Sequence, residues 1–343
     1  MAGLIEKIWF DGHPLGLIGA PLLWPLSKVF GAIARHRRQA FLDGKSDTYR
    51  APVPVIVVGN ITVGGNGKTP VVIWLVEQLK ALGMNPGVVS RGYGGNAASY
   101  PFVLDETTST EAAGDEPVLI FQRTGAPVAI SPTRNDAVKA LLPLGVDIVI
   151  TDDGLQHYKL DRDIEFVIVD GERRFGNEHY MPFGPLREQT DRLESVDFVV
   201  CNGGKAQRGE LAMSLRPSKL VNIKTGQKVA AESLCNTVAM AGIGNPQRFF
   251  NTLSGMGVTP VHCEPFADHK AFELPQLEGL AKKGDHLLMT EKDAVKCRGF
   301  VQQNPNIENW WYLPVDAHFS NEAATQIMNT ILKVKDGYGS PTA

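Results

Sequence analysis

Residues 53–69 read Val-Pro-Val-Ile-Val-Val-Gly-Asn-Ile-Thr-Val-Gly-Gly-Asn-Gly-Lys-Thr, and this stretch decides the fold. Residues 53–58 are apolar and rich in β-branched side chains, which favours a short buried strand. A glycine-rich turn follows. Pro70 then opens an apolar stretch of helical length, since proline suits the first helical turn, where no backbone N–H is needed. A strand, a glycine loop and a helix with Gly-Lys-Thr at the junction predict a phosphate-binding loop, or P-loop.

The predicted loop carries groups suited to binding phosphates and a magnesium ion. Backbone N–H groups from Gly64 to Lys68 would surround phosphate oxygens, and the helix N-terminus adds partial positive charge. Lys68 is placed to reach the β- and γ-phosphates, and the Thr69 hydroxyl to bind Mg²⁺. Thr62 occupies a position where glycine is usual, so the loop is a variant; the alternative is a glycine-rich turn with an incidental lysine. The predicted nucleotide-binding residues are Thr62, Val63, Gly64, Gly65, Asn66, Gly67, Lys68 and Thr69.

The composition excludes several classes of protein. The 343 residues are 43% hydrophobic and 21% charged, which supports a large folded core and about two domains. A formal net charge of −3 argues against a protein that binds nucleic acid through bulk electrostatics. No Cys-x-x-Cys pair occurs, so we expect neither zinc nor disulfides but reduced, buried thiols in a cytosolic protein. The sequence indicates no obligate protein partner. The cysteines are Cys201, Cys235, Cys263 and Cys297.

The N-terminal segment 14–38 combines apolar runs with a basic end. Residues 14–27 carry no charge, and after Lys28 a second apolar run leads directly to a basic cluster at residues 35–38. We favour a helix that lies at a membrane surface, with its apolar side toward the acyl chains and its basic end at anionic headgroups. A helix packed on the protein's own core explains the same pattern. A membrane-spanning helix is a third option, which Lys28 and three prolines disfavour.

Two pairs of carboxylates lie beside predicted elements. Asp152 and Asp153 end the apolar strand 146–151, where a P-loop enzyme needs one carboxylate to hold Mg²⁺ and another to orient water or substrate. A plain turn after a strand is the alternative. Asp115 and Glu116 precede an apolar helix, and from the local sequence alone N-terminal capping explains them best.

Four further side chains are candidates for contacts with substrate. Arg91 lies among glycines after a short predicted strand, at the sheet edge where ligands bind, although a flexible loop is the alternative. Arg187 is a candidate phosphate clamp in the loop Gly-Pro-Leu-Arg-Glu. Gln156 and His157 follow the Asp-Asp pair in the same turn.

Repeated alternation of strands and helices predicts an α/β fold with a P-loop NTPase-like parallel sheet and helices on both faces. The periodicity weakens around residues 205–235, where short polar strands are expected, and a second α/β unit follows. We therefore expect a membrane-interface helical segment at 1–40, a P-loop kinase core at 41–215, short strands or a hinge at 216–236, and a smaller C-terminal α/β domain at 237–343.

Seven ordered motifs span nearly the whole chain. They are residues 59–70, 90–94 (Ser-Arg-Gly-Tyr-Gly), 114–117 (Gly-Asp-Glu-Pro), 152–157 (Asp-Asp-Gly-Leu-Gln-His), 184–188, 266–269 (Phe-Ala-Asp-His) and 289–296 (Met-Thr-Glu-Lys-Asp-Ala-Val-Lys). Together they resemble the tetraacyldisaccharide 4′-kinases, the lipid A 4′-kinases of Gram-negative bacteria. Seven motifs in order are far more specific than a lone P-loop, and Thr62 in place of glycine fits the family's own pattern.

The resemblance implies transfer of the γ-phosphate of ATP, with Mg²⁺, to the 4′-hydroxyl of a tetraacylated disaccharide 1-phosphate, a lipid A precursor, giving lipid IVA. It implies work at the cytoplasmic face of the inner membrane, peripherally or monotopically, where segment 14–38 meets the bilayer. It also implies that Asp115 is the catalytic base and acts with His269, beside Asp268. This implication replaces the capping interpretation of Asp115.

A mechanism follows as a hypothesis from the resemblance and the motifs. Lys68 and the loop hold ATP, while Thr69 and Asp153 bind Mg²⁺. Asp115 accepts the proton of the sugar hydroxyl, and His269 orients it. The further assignments are assistance at the metal by Glu116 and Asp152, and binding of phosphate groups by Arg91 and Arg187.

Two other functions are compatible with a P-loop. One is a GTPase or metal-insertion chaperone in which hydrolysis drives a conformational switch, but Thr290-Glu291-Lys292-Asp293 matches the guanine-reading pattern Asn-Lys-x-Asp poorly. The other is a membrane-attached ATP-binding scaffold without transfer chemistry. Neither explains acidic, arginine and histidine motifs beside a membrane helix.

Overall fold

The computed structural model describes residues 2–339, so residue 1 and residues 340–343 of the predicted segments lie outside the described part of the chain. The helices are α1 (Ala2–Phe10), α2 (Leu15–Leu42), α3 (Lys68–Ala81), α4 (Thr110–Ala113), α5 (Asp115–Thr124), α6 (Arg134–Leu141), α7 (Pro246–Gly255), α8 (Leu274–Ala281), α9 (Glu291–Gln303) and α10 (Asn321–Gly339).

The strands alternate with these helices through most of the chain. They are β1 (Val55–Gly59), β2 (Pro86–Ser90), β3 (Phe102–Val103), β4 (Val128–Ile130), β5 (Ile148–Asp152), β6 (Ile164–Asp170), β7 (Phe198–Asn202), β8 (Glu210–Pro217), β9 (Leu220–Asn222), β10 (Lys228–Val229), β11 (Thr237–Ala241), β12 (His262–Pro265), β13 (His286–Thr290), β14 (Trp310–Leu313) and β15 (Val315–Phe319).

The larger sheet has nine strands in the order β15-β8-β7-β6-β1-β5-β2-β4-β3. Its centre is parallel, with β1 between β5 and β6. Both edges are antiparallel, because β15 pairs with β8 and β3 pairs with β4. The expectation of a parallel sheet was therefore wrong at the edges. Long connections join both antiparallel pairs, through α4 and α5 for β3 and β4 and through the smaller sheet for β8 and β15, so long-range packing sets the direction of each edge strand.

The smaller sheet has six strands in the order β10-β9-β14-β13-β11-β12. Its strands β12, β11, β13 and β14 are parallel, and β9 and β10 close one edge in antiparallel pairing. After β14 the chain returns to the larger sheet through β15 and α10. The segment 237–343, predicted from sequence as one domain, therefore contributes to both sheets.

Two apolar clusters on opposite faces of the larger sheet position the P-loop. Alternate residues of β1 enter each cluster: Ile56 and Val58 on one face, Val55 and Val57 on the other. Helices α3, α5 and α10 cover the first face and α6 the second. Helices thus lie on both faces, as predicted, and β1 is held rigidly at the centre.

The four cysteines are free, and two of them differ from expectation. Cys201 and Cys297 are buried, whereas Cys235 and Cys263 are exposed. The prediction of buried thiols was therefore wrong for Cys235 and Cys263, since Cys235 lies in a loop and Cys263 points outward from edge strand β12.

Helix α2 has one side on the protein and one side in solvent. Ser27 donates a hydrogen bond to the carbonyl of Tyr180 at 2.7 Å, and the Phe30 ring lies beside the ring of Tyr180. Gly31 lets the helix approach this closely, because a Cβ there would lie 2.3 Å from the Tyr180 ring. Across residues 2–339, no helix is both long and apolar enough to cross a membrane. The exposed apolar residues of α2 include Ile18, Leu22, Trp24, Leu26, Val29 and Ile33.

Candidate active site

The glycine-rich loop joins β1 to α3, and its turns require glycine. Gly64 and Gly67 have φ values of +108° and +94°, a left-handed conformation that other residues rarely adopt. A Cβ at Gly67 would also lie 2.4 Å from Nδ2 of Asn202. Lys68 and Thr69 follow in the first turn of α3, at the helix end that carries partial positive charge.

Thr62 has a specific task in this loop. Its hydroxyl accepts a hydrogen bond of 2.8 Å from the side-chain amide of Asn66, which also donates to the Ile168 carbonyl at 3.2 Å. The amide of Asn202 donates to the Asn66 carbonyl at 2.8 Å. Thr62, Asn66 and Asn202 are buried, so these bonds fix the shape of the loop from within the protein.

The smaller sheet's unit also contacts the P-loop. Arg248 of α7 donates to the Asn202 side-chain oxygen at 3.0 Å, and a Cβ on Gly244 would lie 3.1 Å from the Gly65 nitrogen. Asn202 and Arg248 were not predicted as site residues from the sequence. The available signal for Asn202 was a polar residue at the carboxyl end of an apolar strand, where ligands bind in such sheets.

Lys68 pairs with the carboxylate of Asp153, which Arg187 also binds. Its ammonium lies 3.5 Å from Asp153, and Arg187 donates two hydrogen bonds of 3.0 Å to the same carboxylate. Burial raises the pKa of Asp153, but Lys68 and Arg187 outweigh it and lower the pKa to about 2. The structure therefore brings together three predicted site residues, with Asp153 ionised and paired to two cations.

Asp152 differs from its neighbour. It is 1% exposed at the end of β5, and neither carboxylate oxygen has a hydrogen-bond partner in the described structure. Burial and the nearby charge of Glu116 raise its pKa, against the opposing charge of Lys68. A buried carboxylate without donors beside a phosphate-binding loop fits a Mg²⁺ ligand, because Mg²⁺ takes oxygen ligands and would supply the missing partner.

Asp115 and His269 meet across the two units. Gly114, with φ +88°, places the buried Asp115 at the start of α5, and His269 reaches it from the loop after β12. Nδ1 of His269 lies 3.1 Å from both Asp115 oxygens. Burial raises the pKa of Asp115, but the hydrogen bond from His269 and the charge of Lys292 outweigh it and hold the pKa below its usual value. The carboxylate is thus ionised and oriented, as a proton acceptor requires.

Lys292 of α9 completes this cluster. Its ammonium lies 3.1 Å from Glu116, 3.2 Å from Asp268 and 3.9 Å from Asp115. Burial lowers the pKa of Lys292, but these carboxylates outweigh it and raise the pKa. Lys292 was not predicted as a site residue, although the motif at 289–296 contains it. Its place in the site depends on the packing of α9 beside α5, which local sequence does not show.

His269 is subject to opposing influences. The hydrogen bond to Asp115 raises the pKa of His269, whereas burial and the charge of Lys292 lower it, and the net direction is upward. The ring also contacts the exposed Tyr93 edge to face, with centroids 5.1 Å apart. The imidazole is therefore held on several sides.

The other predicted substrate contacts lie outside the Asp115–His269 cluster, and some of them make hydrogen bonds to neighbouring residues of the protein. Gln156 donates to the Asn60 carbonyl at 3.0 Å and to Glu188 at 2.7 Å. Burial lowers the pKa of His157 to about 4, so its ring is neutral at physiological pH. Arg91 is exposed after β2. Gln156 therefore supports the P-loop through Asn60, and Arg91 is accessible to an anionic group.

The site combines a glycine-rich loop, a lysine paired with a carboxylate and an oriented proton acceptor. This set of groups is suited to moving a phosphoryl group from a nucleotide to a hydroxyl. Fold and site thus define a P-loop phosphotransferase. Residues 19–333 match the sequence model of the family described as tetraacyldisaccharide-1-P 4′-kinase, and the chain belongs to this family. This membership confirms the resemblance and the predicted kinase activity in lipid A biosynthesis, and it sets aside the switch and scaffold alternatives.

Individual relatives match over their full length. The chain is 61% identical to tetraacyldisaccharide 4′-kinase of Photobacterium profundum over 349 residues, covering 100% of both chains. It is 59% identical to that of Vibrio cholerae over 340 residues, covering 99% of this chain and 100% of the relative. The crystal structure of LpxK from Aquifex aeolicus in complex with ATP superposes with a TM-score of 0.71 at 26% identity, covering 90% of this chain and 98% of that chain.

Proposed function

We propose that this chain transfers the γ-phosphate of ATP to the 4′-hydroxyl of tetraacyldisaccharide 1-phosphate with Asp115 as the general base, giving lipid IVA. One observation carries the proposal: Asp115 is buried, ionised and hydrogen-bonded to His269. ATP is bound in the related Aquifex aeolicus structure, which supports ATP as the donor. The names of the relatives support the acceptor.

The donor side is built for a triphosphate. Phosphoryl transfer passes through a loose transition state, so catalysis consists mainly of positioning and neutralising charge. N–H groups of residues 64–68 bind phosphate oxygens, and Lys68 exchanges part of its contact with Asp153 for the γ-phosphate. Arg187 keeps Asp153 in place during this exchange.

Mg²⁺ would be held by Asp152 and Thr69, with Glu116 nearby. We place Asp152 ahead of Asp153, because Asp153 is already paired with two cations while Asp152 lacks any donor. When bound, the ion neutralises charge on the β- and γ-phosphate oxygens. Among residues 2–339, no group of three acidic, histidine or cysteine side chains is placed to hold a metal ion.

The acceptor side prepares the hydroxyl. Asp115 removes the proton of the 4′-hydroxyl as its oxygen attacks phosphorus, and His269 holds the carboxylate in orientation. Asp268 accepts a hydrogen bond from the backbone N–H of His269 at 3.0 Å and so shapes its loop. Because Asp115 and His269 lie on different units, their contact depends on how the two units are placed.

The kinase assay tests transfer and position together. The protein is incubated with γ-labelled ATP, Mg²⁺ and detergent-dispersed tetraacyldisaccharide 1-phosphate. We expect label on the lipid, with the new phosphate monoester assigned to the 4′-position by phosphorus NMR. Label released only as inorganic phosphate, or attached at another hydroxyl, would overturn the proposal. The matched control is Glu106→Gln, which neutralises an exposed carboxylate outside the site.

The exposed face of α2 brings the enzyme to its amphiphilic substrate. We propose that this face, residues Ile18 to Ile33, lies on the cytoplasmic surface of the inner membrane, since a lipid with four acyl chains leaves a bilayer reluctantly. The basic cluster at 35–38 would meet anionic headgroups. The exposure of Ile18 at 75% and Leu22 at 70% supports this orientation.

Vesicle sedimentation tests the membrane proposal. Leu22→Glu together with Ile33→Glu should lower binding to anionic vesicles by about tenfold or more, since each exposed side chain contributes on the order of 1–2 kcal/mol when buried. Leu144→Glu, at a side chain 50% exposed in a short 3-10 helix elsewhere, should not change binding. Equal binding by the α2 variant and the wild type would exclude this face as the membrane contact.

A further inference from the structure

The ammonium of Lys292 has three hydrogen-bond acceptors and three protons to give. The acceptors are Glu116 at 3.1 Å, Asp268 at 3.2 Å and Nε2 of His269 at 3.4 Å. The Lys292 side chain is only 16% exposed, so water competes little for these protons. An ammonium carries three donors and no lone pair, and the set of partners matches its capacity.

The third contact decides where the proton of His269 is. Because the ammonium can only donate, Nε2 of His269 must present its lone pair toward Lys292. A neutral imidazole then carries its proton on Nδ1, which faces both oxygens of Asp115 at 3.1 Å. The two contacts of the ring thus select the same tautomer.

Among the described residues, no carboxylate lies within hydrogen-bond distance of Nε2 to favour a proton on that nitrogen. Asp268 Oδ2 lies 3.7 Å from Nε2, beyond a hydrogen bond. A doubly protonated ring would also place two cationic groups 3.4 Å apart. The charged groups around the ring are Asp115 and Glu116 of α5, Asp268 of its own loop, and Lys292 and Lys296 of α9.

We propose that Lys292 is a positioning residue that fixes His269 as the Nδ1–H tautomer and so reserves proton acceptance for Asp115. The proposal rests on the proposed function. The hydroxyl O–H bond breaks and its proton moves to Asp115, while the oxygen bonds to the γ-phosphorus and the bond from phosphorus to ADP breaks. With Nε2 occupied by Lys292, the imidazole takes no proton in this step and only orients the base.

NMR of protein labelled with ¹⁵N-histidine reads the tautomer directly, independently of turnover. The His269 signals are assigned by their loss in His269→Asn. Above neutral pH, we expect Nδ1 to be protonated and Nε2 bare in the wild type. In Lys292→Met, removal of the ammonium should raise the pKa of the ring and so increase the imidazolium fraction at a given pH. A proton on Nε2 in the wild type, or an unchanged spectrum in Lys292→Met, would overturn the proposal.

Kinetics provide a second measurement. Lys292→Met should lower kcat on the order of 10–100-fold through misplacement of the base, with the KM for ATP little changed. Lys292→Arg should restore part of the rate, since a guanidinium also only donates. Loss of kcat and ATP binding together, without rescue by arginine, would indicate a merely structural role. Absence of lipid labelling by the wild type alongside the expected tautomer would refute the proposed function and not the tautomer.

The chain offers a matched control. Lys283 lies 3.0 Å from Nε2 of His262, which in turn contacts Glu264 at 2.9 Å, so a lysine, a histidine and a carboxylate also meet here, outside the site. Lys283→Met removes a lysine from a histidine without touching the site. It should leave the His269 signals and the rate of transfer unchanged.

Discussion

The two sides of the active site are built in different ways. The donor side combines Lys68, at the start of α3, with Asp153 and Arg187. The latter two lie in loops that follow strands of the larger sheet. The acceptor side joins Asp115 of the larger sheet's unit to His269 and Lys292 of the smaller. The charged groups of the donor side therefore come from one unit, with Arg248 of the other unit touching the loop through Asn202, whereas the groups for proton transfer come from both units.

Their electrostatics differ as well. On the donor side the Asp153 carboxylate has two cations, and an incoming triphosphate supplies new negative charge for Lys68 to bind. On the acceptor side Lys292 has three carboxylates within 4 Å and no spare donor. The first arrangement exchanges partners when ligand binds, while the second keeps its geometry.

Replacement of Lys68 should cause the largest loss. Lys68→Met removes the cation that neutralises the transferred group, and we expect kcat/KM to fall by about 10³–10⁵-fold, the scale of a cation acting on that transition state. The measurement is label transfer under single-turnover conditions. Lys282→Met, at an exposed lysine, is the control. A loss below about tenfold would mean that the donor side does not depend on this charge.

Asp115→Asn should separate the two sides. The amide keeps the size of the side chain but cannot accept the hydroxyl proton, so kcat should fall about 10²–10⁴-fold. Because the donor side is intact, the Kd for ATP measured by calorimetry should stay within about twofold. Equal losses of ATP affinity and turnover would show that the sides are not independent.

His269→Ala should change the pH dependence as well as the rate. In the wild type, the hydrogen bond from His269 opposes burial and keeps the pKa of Asp115 low. Without it burial dominates, so the carboxylate protonates at higher pH and the acidic limb of the kcat–pH profile moves upward. We also expect a rate loss of about tenfold or more at neutral pH, from poorer orientation of the base. An unmoved limb would mean that Asp115 is not the group that titrates.

Thr62→Val should have the smallest effect, confined to the donor side. The substitution removes the acceptor of the Asn66 amide, one neutral hydrogen bond worth about 0.5–1.5 kcal/mol. ATP affinity should weaken about threefold to tenfold, while kcat at saturating ATP changes little. Calorimetry and saturation kinetics provide the two values. Thr330→Val in α10 is the matched control, away from the loop.

Local sequence patterns predicted the strand, loop and helix of the donor side, whereas the residues of the acceptor side were predicted only through the resemblance. The strand, loop and helix at 53–82 follow from periodicity and glycine spacing, which act over neighbouring residues. The position of Lys292 beside Asp115 and Glu116 depends on packing between α5 and α9, and Lys292 lies 176 positions from Glu116 in the chain. The pairing of β15 with β8 was missed for the same reason, because a five-residue strand does not identify its partner.

The path of the chain through β8 and β15 limits how the smaller sheet can move. The smaller sheet is an insertion between β8 and β15 of the larger sheet. The chain enters and leaves this insertion at neighbouring positions: Pro217 pairs with Val315, and the Ser218 nitrogen donates to the Pro314 carbonyl at 3.1 Å. A unit joined to the rest of the protein by two adjacent connections has fewer possible orientations than a unit joined by a single linker. This double attachment restrains the smaller sheet relative to the larger one, and the restraint favours a constant position of His269 beside Asp115.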